Sequence, residues 1–139
     1  MDYQMTQAIC FRLGKTMRKV NKYYDKNLQM HNITFTQLFI LAALLEKEPI
    51  KFKELADLVN IEGSTLSGII DRMERKDLVQ RREDHEDRRS LLLALTDKAR
   101  EISPDLLQTA NRLEDDLKAK LSDGEYLLFL EILDKIADL

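Results

Sequence analysis

The sequence has one cysteine, two prolines, two histidines and four glycines in 139 residues. A lone Cys10 excludes an intrachain disulfide, so a reducing, cytoplasmic setting is expected. With so little proline and glycine, no linker, repeat or low-complexity tract divides the chain. No apolar run approaches the ~20 residues needed to cross a membrane. Residues 1–11 lack a basic start followed by an apolar core, so no signal peptide is expected. Neither His31 nor His85 stands in a metal-ligand spacing such as H-x-x-x-H or C-x-x-C, and no metal or cofactor is expected. His31 reads as a turn residue between helices. A nucleophile–base pair, a phosphate loop and an isolated carboxylate pair are also missing. Cys10 with the distant His31 would be the only catalytic candidate, so no catalytic residue is assigned and an enzyme is not expected.

A strong net charge is absent too. The formal value is -3, although 34% of residues are charged and 44% are hydrophobic. That balance is globular, and the length suffices for a core without disulfides or metals. A net negative total argues mildly against nucleic acid, but groove contacts are local and distribution matters more. Basic residues gather in two segments. One, 12–26, holds Arg12, Lys15, Arg18, Lys19, Lys22 and Lys26. The other, 72–89, holds seven arginines and lysines against six acids, a patterned surface and not a polybasic tail.

Periodicity supplies the rest. Ile9, Leu13, Met17, Val20, Tyr24 and Leu28 recur at three- and four-residue steps, which predicts one long helix over 3–29. Its single apolar stripe asks for more cover than a small domain supplies, so a partner chain is expected. His31-Asn32 reads as a break. A helix capped by Thr34 or Thr36 follows, apolar on most sides and therefore central and buried, ending at Glu48-Pro49. Segment 51–59 predicts a short helix with Phe52, Leu55, Ala56, Leu58 and Val59 inward. Asn60 suits a tight left-handed end. A second helix from Glu62 or Ser64 to Lys76 should bury Leu66, Ile69, Ile70 and Met73. Segments 78–82 and 90–95 read as strands around the polar stretch 83–89, a hairpin. Thr96-Asp97 starts a helix that Ser103-Pro104-Asp105 should interrupt or bend. Ser122 and Glu125 form a capping box for a last helix, with Tyr126, Phe129, Leu130, Leu133, Ile136 and Ala137 on one side.

Two short helices with a tight turn, then a charged hairpin, make a winged helix-turn-helix pattern. Ala56 is small where the helices must approach, Asn60 takes the turn, and Leu66 plugs the space between them. Such a unit places its second helix in the DNA major groove. Ser64, Thr65 and Ser67 are short hydrogen-bonding residues that allow close approach. Arg72 and Arg75 reach phosphates or a guanine edge. At the hairpin tip, Arg88 and Arg89 suit a narrow minor groove, with Asp87 placed to orient one of them. His85 would lie near phosphates. The competing readings are an ordinary helical bundle and a solvated turn.

Ser64-Thr65-Leu66-Ser67 through Asp71-Arg72-Met73-Glu74-Arg75-Lys76-Asp77-Leu78-Val79, and Asp87-Arg88-Arg89-Ser90 followed by 91–95 and Thr96-Asp97-Lys98, resemble the recognition helix and wing of the MarR family of transcriptional regulators. The resemblance extends over essentially the whole chain. Ala99 and Asp77 depart from it, standing where that family usually has glycine. The resemblance implies a mainly α fold with a small β-hairpin wing. Residues 1–31 would be an N-terminal dimerisation helix, 32–96 the winged helix-turn-helix lobe and 97–139 the C-terminal dimerisation helices. It also implies a symmetric homodimer on a palindromic double-stranded DNA operator. Such a repressor is released when a small aromatic or anionic effector settles between dimer helices and DNA lobes.

Ile9-Cys10-Phe11 is similar to the peroxide-sensing branch of the family, in which tyrosines hold a reactive thiolate. Tyr24 falls at a matching distance, but Gly14 and Phe35 replace the other two tyrosines, leaving Arg12 or a partner's base to stabilise the thiolate. A thiol-based sensor of the same fold is therefore one alternative, against a small buried Cys10. A winged helix used only for protein–protein contact is the other.

Overall fold

In a computed structural model that describes residues 4–139, a short 3-10 turn, Met5–Gln7, precedes the first long helix, α1, Ile9–Leu28. The expected start at residue 3 lies outside the described residues. Ala8 is extended and offers no capping side chain, which separates the turn from the helix. Only the end of the predicted stripe is covered: Tyr24 and Leu28 are buried, whereas Ile9, Leu13 and Met17 are exposed. A 3-10 turn, Gln29–His31, leads to Asn32 at φ 54°, a left-handed conformation that asparagine tolerates.

Thr34, not Thr36, caps α2, Phe35–Glu46. Its hydroxyl accepts from the Gln37 N–H at 3.2 Å, and the Gln37 side chain accepts from the Thr34 N–H at 3.3 Å. Leu38, Ile40, Leu41 and Leu44 are buried. Phe39 departs from the expected burial and lies exposed, stacked with Phe35 at a centroid separation of 6.5 Å.

A two-residue strand that periodicity could not show, β1, Ile50–Lys51, opens α3, Phe52–Val59. Leu55 and Val59 are buried, but Leu58 is exposed, a correction to the expected apolar side. It sits roughly 100° around the helix from the stripe its neighbours form. Asn60, at φ 52°, reverses the chain while the Ile61 N–H donates to the Ala56 carbonyl at 3.1 Å, a Schellman-type end. The next helix, α4, Gly63–Arg75, buries Leu66, Ile69, Ile70 and Met73 as predicted. It ends in the same way: Asp77 takes φ 57° and the Leu78 N–H donates to the Met73 carbonyl at 2.9 Å.

Two further strands, β2, Val79–Glu83, and β3, Leu91–Leu95, pair antiparallel, with Val79 opposite Leu95 and Glu83 opposite Leu91. β1 adds to the other edge of β3, giving the order β1-β3-β2. The hairpin is thereby anchored to the chain just ahead of α3. Glu48 reinforces this edge: one carboxylate oxygen accepts from the Leu95 N–H at 2.6 Å and the other from the Arg100 guanidinium.

Thr96 caps α5, Asp97–Lys118, its hydroxyl accepting from the Ala99 N–H at 3.1 Å and donating to the Asp77 carbonyl at 2.6 Å. Ala99 is fully buried. The expected interruption at 103–105 does not occur, and α5 runs through Pro104 as one helix. The buried Ser103 hydroxyl donates to the Ala99 carbonyl. Proline deprives only one carbonyl, that of the exposed residue Arg100, of its usual donor.

Two compact units divide between Leu106 and Leu107. The second contains the end of α5 and α6, Asp123–Ala137, capped by the predicted box: the Glu125 N–H donates to the Ser122 hydroxyl at 3.2 Å, and the Ser122 N–H to the Glu125 carboxylate. Those bonds, the Ser122 backbone N–H first, hold the Glu125 carboxyl below its usual range. No residue of α6 is buried. Phe129 and Leu130 of the predicted side are exposed, and so are Leu127, Leu128 and Ile132, which the one-sided reading had omitted. No single described helix is long and apolar enough to cross a membrane.

Candidate nucleic-acid interface

The four buried residues of α4 turn its opposite side outward. Ser64, Thr65, Arg72 and Arg75 are exposed, and Ser67 is partly so. Gly68 contributes something the sequence did not flag. A Cβ placed there would lie 3.7 Å from an Arg72 guanidinium nitrogen, so the arginine runs back along the helix over a bare backbone. Among the described residues, neither Arg72 nor Arg75 has an acid within ion-pairing distance. The acids between and beside them are taken elsewhere: Arg81 of β2 bonds the Asp71 carboxylate at 2.8 Å and also pairs with Glu74. The cation that periodicity placed on the strand therefore serves to occupy the acids of α4.

The hairpin tip is a built turn. Asp84 is buried, with its carboxylate accepting from the Glu86 N–H and the Ser90 hydroxyl, each at 3.0 Å, and lying 3.9 Å from Lys51. The Glu86 amide first of all, then the Ser90 hydroxyl, holds this carboxyl below its ordinary range against the opposing effect of burial. Asp87 does not orient a guanidinium, as the sequence had suggested. Its carboxylate accepts from the Arg89 backbone N–H at 3.0 Å, and its carbonyl from the Ser90 N–H at 3.1 Å. It shapes the loop from which Arg88 and Arg89 project, both exposed and without an ion pair among the described residues. His85 is exposed on the same turn.

Two lysines complete the surroundings. Lys76, at the end of α4, donates to the Asn32 carbonyl at 2.6 Å and to the Gln37 side chain at 2.8 Å, tying α4 to the α1–α2 junction. Burial, and then the nearby Arg72, lowers its pKa from the ordinary lysine value. Lys51 and Lys53 border a cleft of about 470 Å³ with Phe52, Asp87, Arg89, Ser90 and Leu91. Asp84, Arg81 and this cleft were not visible as site features in the sequence, because each depends on the pairing of β1 with β3 or of β2 with α4.

Cys10 is the second residue of α1 and is exposed, in contrast to a small buried hydrophobe. Tyr24 lies on the same continuous helix about 21 Å further along, at 1.5 Å per residue. Its ring is buried edge-on to Phe35 at 4.8 Å. Tyr24 therefore cannot hold the Cys10 thiolate of its own chain. Arg12 donates to the Gln7 side chain. Among the described residues, no three metal-ligating side chains converge.

A family model described as the MarR family matches residues 33–91, from the approach to α2 to the start of β3. The HTH-type transcriptional regulator MgrA of Staphylococcus aureus is 28% identical over 136 residues, 97% of this chain and 91% of that one. Among solved structures, Bordetella bronchiseptica BpsR, whose DNA binding is described as regulated by 6-hydroxynicotinic acid, matches with TM-score 0.91 at 19% identity, covering 100% and 99% of the two chains. The transcriptional repressor CouR, bound to a 23-mer DNA duplex, matches with TM-score 0.86 at 24% identity, covering 99% of each.

Proposed function

Since the chain belongs to the MarR family of transcriptional regulators, we propose that it is a sequence-specific repressor acting as a homodimer on a palindromic double-stranded DNA operator. The observation that carries this reading is the pairing of an outward α4 face, with Ser64, Thr65, Ser67, Arg72 and Arg75, to a wing whose Arg88 and Arg89 have no acidic partner. Hydroxyls at the start of a helix allow its backbone to approach base edges, and arginines one and two turns later reach phosphates or a guanine edge. The wing arginines enter the adjacent minor groove. In a twofold dimer the two α4 helices read half-sites roughly 10 base pairs, or a multiple, apart. The exposed apolar residues of α1 and α6 support a second copy, with residues 1–31 and 97–139 serving dimerisation and 32–96 serving DNA. A regulator of this kind works beside the chromosome, which places it in the cytoplasm.

Release follows from a small aromatic or anionic effector that favours a lobe spacing unsuited to DNA. A coupling of ~1–3 kcal/mol changes affinity ~5–150-fold. The ligand-regulated DNA binding described for BpsR supports this class of control. The exposure of Cys10 favours a second reading, oxidation sensing, in which a partner chain supplies the groups that activate the thiol.

Genome-wide footprinting with purified protein, repeated with salicylate and with mild peroxide, tests all of this. Protected palindromes lost on adding salicylate support the effector reading. Loss on peroxide in the wild type but not in Cys10→Ser supports the thiol reading. Absence of protected sites and of steep salt dependence favours a winged helix used only for protein contact.

A further inference from the structure

We infer that Lys51 and Lys53 form a third contact with DNA, a sequence-independent grip on the phosphate backbone in the space between α4 and the wing. The inference rests on the DNA-binding reading above and adds residues that neither the recognition helix nor the hairpin contains. Three observations place them there. Lys51 is the last residue of β1 and pairs with Leu92 of β3, which fixes it beside the wing. Next to it, the Phe52 ring lies 3.7 Å from the position a Cβ on Gly63 would take, which fixes the start of α3 against the first residue of α4. Finally, Lys51, Phe52 and Lys53 share a single cleft with Arg89, Ser90 and Leu91. The backbone leading into α3 thus bridges the two elements proposed to enter the grooves.

The charges there suit an anion. Lys53 is exposed and has no ion pair among the described residues, and Arg89 on the facing side is in the same state. Asp87 also borders the cleft, but its carboxylate accepts the Arg89 backbone N–H. Asp84 is buried and already bonded to Glu86 and Ser90, leaving Lys51 at 3.9 Å with half its side chain accessible. Glu54 does not border the cleft. A lysine is a mobile point charge suited to phosphate and carries little base information. Between two groove-entering elements, the duplex surface available to it is the sugar–phosphate strand that separates the grooves.

The test is the salt dependence of binding, measured by fluorescence anisotropy with the full chain on a random-sequence duplex of about 30 base pairs, roughly three helical turns. Wild type, Lys53→Ala, Lys51→Ala, Lys53→Arg and Arg72→Ala are compared, with circular dichroism checking each fold. Each lysine lost should reduce the slope of log K against log salt by about 0.9. Lys53→Arg should restore it. On the operator found by footprinting, Lys53→Ala should weaken all half-site variants by one common factor, leaving their ranking unchanged. Wild-type slopes for both folded alanine variants, alongside a reduced slope for Arg72→Ala, would overturn the grip while leaving the DNA reading intact. A wild-type protein without any salt-dependent binding would overturn both.

Discussion

Asp77 holds a left-handed backbone at φ 57° between α4 and β2, a conformation that costs most L-residues about 1–2 kcal/mol. Aspartate is among the few residues that accept it, and glycine accepts it without penalty. The departure from glycine noted at this position is therefore conservative in backbone terms. Asp77→Gly should hold or raise the thermal midpoint, whereas Asp77→Val should lower stability by about 1–2 kcal/mol, read by urea unfolding. Unchanged stability in the valine variant would remove the argument. Asp84 makes a second prediction. Its folded pKa lies below the ordinary carboxylate value, so its contribution to the wing is present above that ordinary value and is lost as pH falls through the lowered one. Asp84→Asn should show at neutral pH what acid does to the wild type: faster hydrogen exchange at the Glu86 and Ser90 amides and weaker DNA binding, with α4 protection unchanged. The arginines and hydroxyls of the site were legible in the sequence because their side chains act outward and need only the right face of a helix or the tip of a turn. Asp84 was not, since its role depends on burial and on donors that a list of charges does not distinguish from solvated ones.

The elements themselves were legible wherever one face is apolar over several turns. α1, α2, α4 and α6 follow from three- and four-residue spacing, and the caps at Thr34 and Ser122 from side chains that can accept the first free N–H groups. β1 was not, because two residues have no period and exist as a strand only through β3. The continuity of α5 was also hidden, since a helix long enough on both sides of Pro104 tolerates the loss of one bond. The same tertiary pairing produces the link between α4 and the wing. Arg81 reaches from β2 to Asp71 and Glu74, so the strand that carries the hairpin holds the helix that carries Arg72 and Arg75. Arg81 remains partly exposed, and pairs of this kind contribute about 0.2–1 kcal/mol each. Their larger effect is on charge: removing Arg81 leaves two carboxylates facing the DNA. Arg81→Ala should therefore weaken operator binding by more than it lowers stability. The triple variant Arg81→Ala, Asp71→Asn, Glu74→Gln should regain most of that loss, measured as anisotropy binding curves at one salt concentration. If the triple variant binds no better than Arg81→Ala alone, Arg81 acts on the DNA directly.

At the scale of the molecule, the decisive quantity is apolar surface left uncovered by one chain. α6 buries none of its residues, and Leu127 is 66% and Leu128 54% exposed. On α1, Ile9 is 64% and Met17 44% exposed. Burial of apolar area contributes roughly 25 cal/mol per Å², so leaving two such helices bare is costly in water and a second copy is the cover that the family fold supports. Dimerisation of this kind ties folding to concentration, because anything that binds only the folded chain stabilises it by mass action. The thermal midpoint should therefore rise steadily as protein concentration is increased. Leu128→Arg and Phe129→Asp, both on exposed α6 positions, should lower the sedimentation mass toward that of one chain, while the helicity and hydrogen-exchange protection of the segment 35–95 persist. These monomeric variants retain Arg72, Arg75, Arg88 and Arg89, so they should still bind duplex DNA weakly through one lobe. What they lose is the gain from linking two lobes, for which avidity commonly amounts to about 10²–10⁴ in affinity. A dimer that survives both substitutions, with a concentration-independent midpoint, would mean that α6 is covered by something other than a second copy. In that case the twofold spacing of the two α4 helices would no longer follow from the exposed surface.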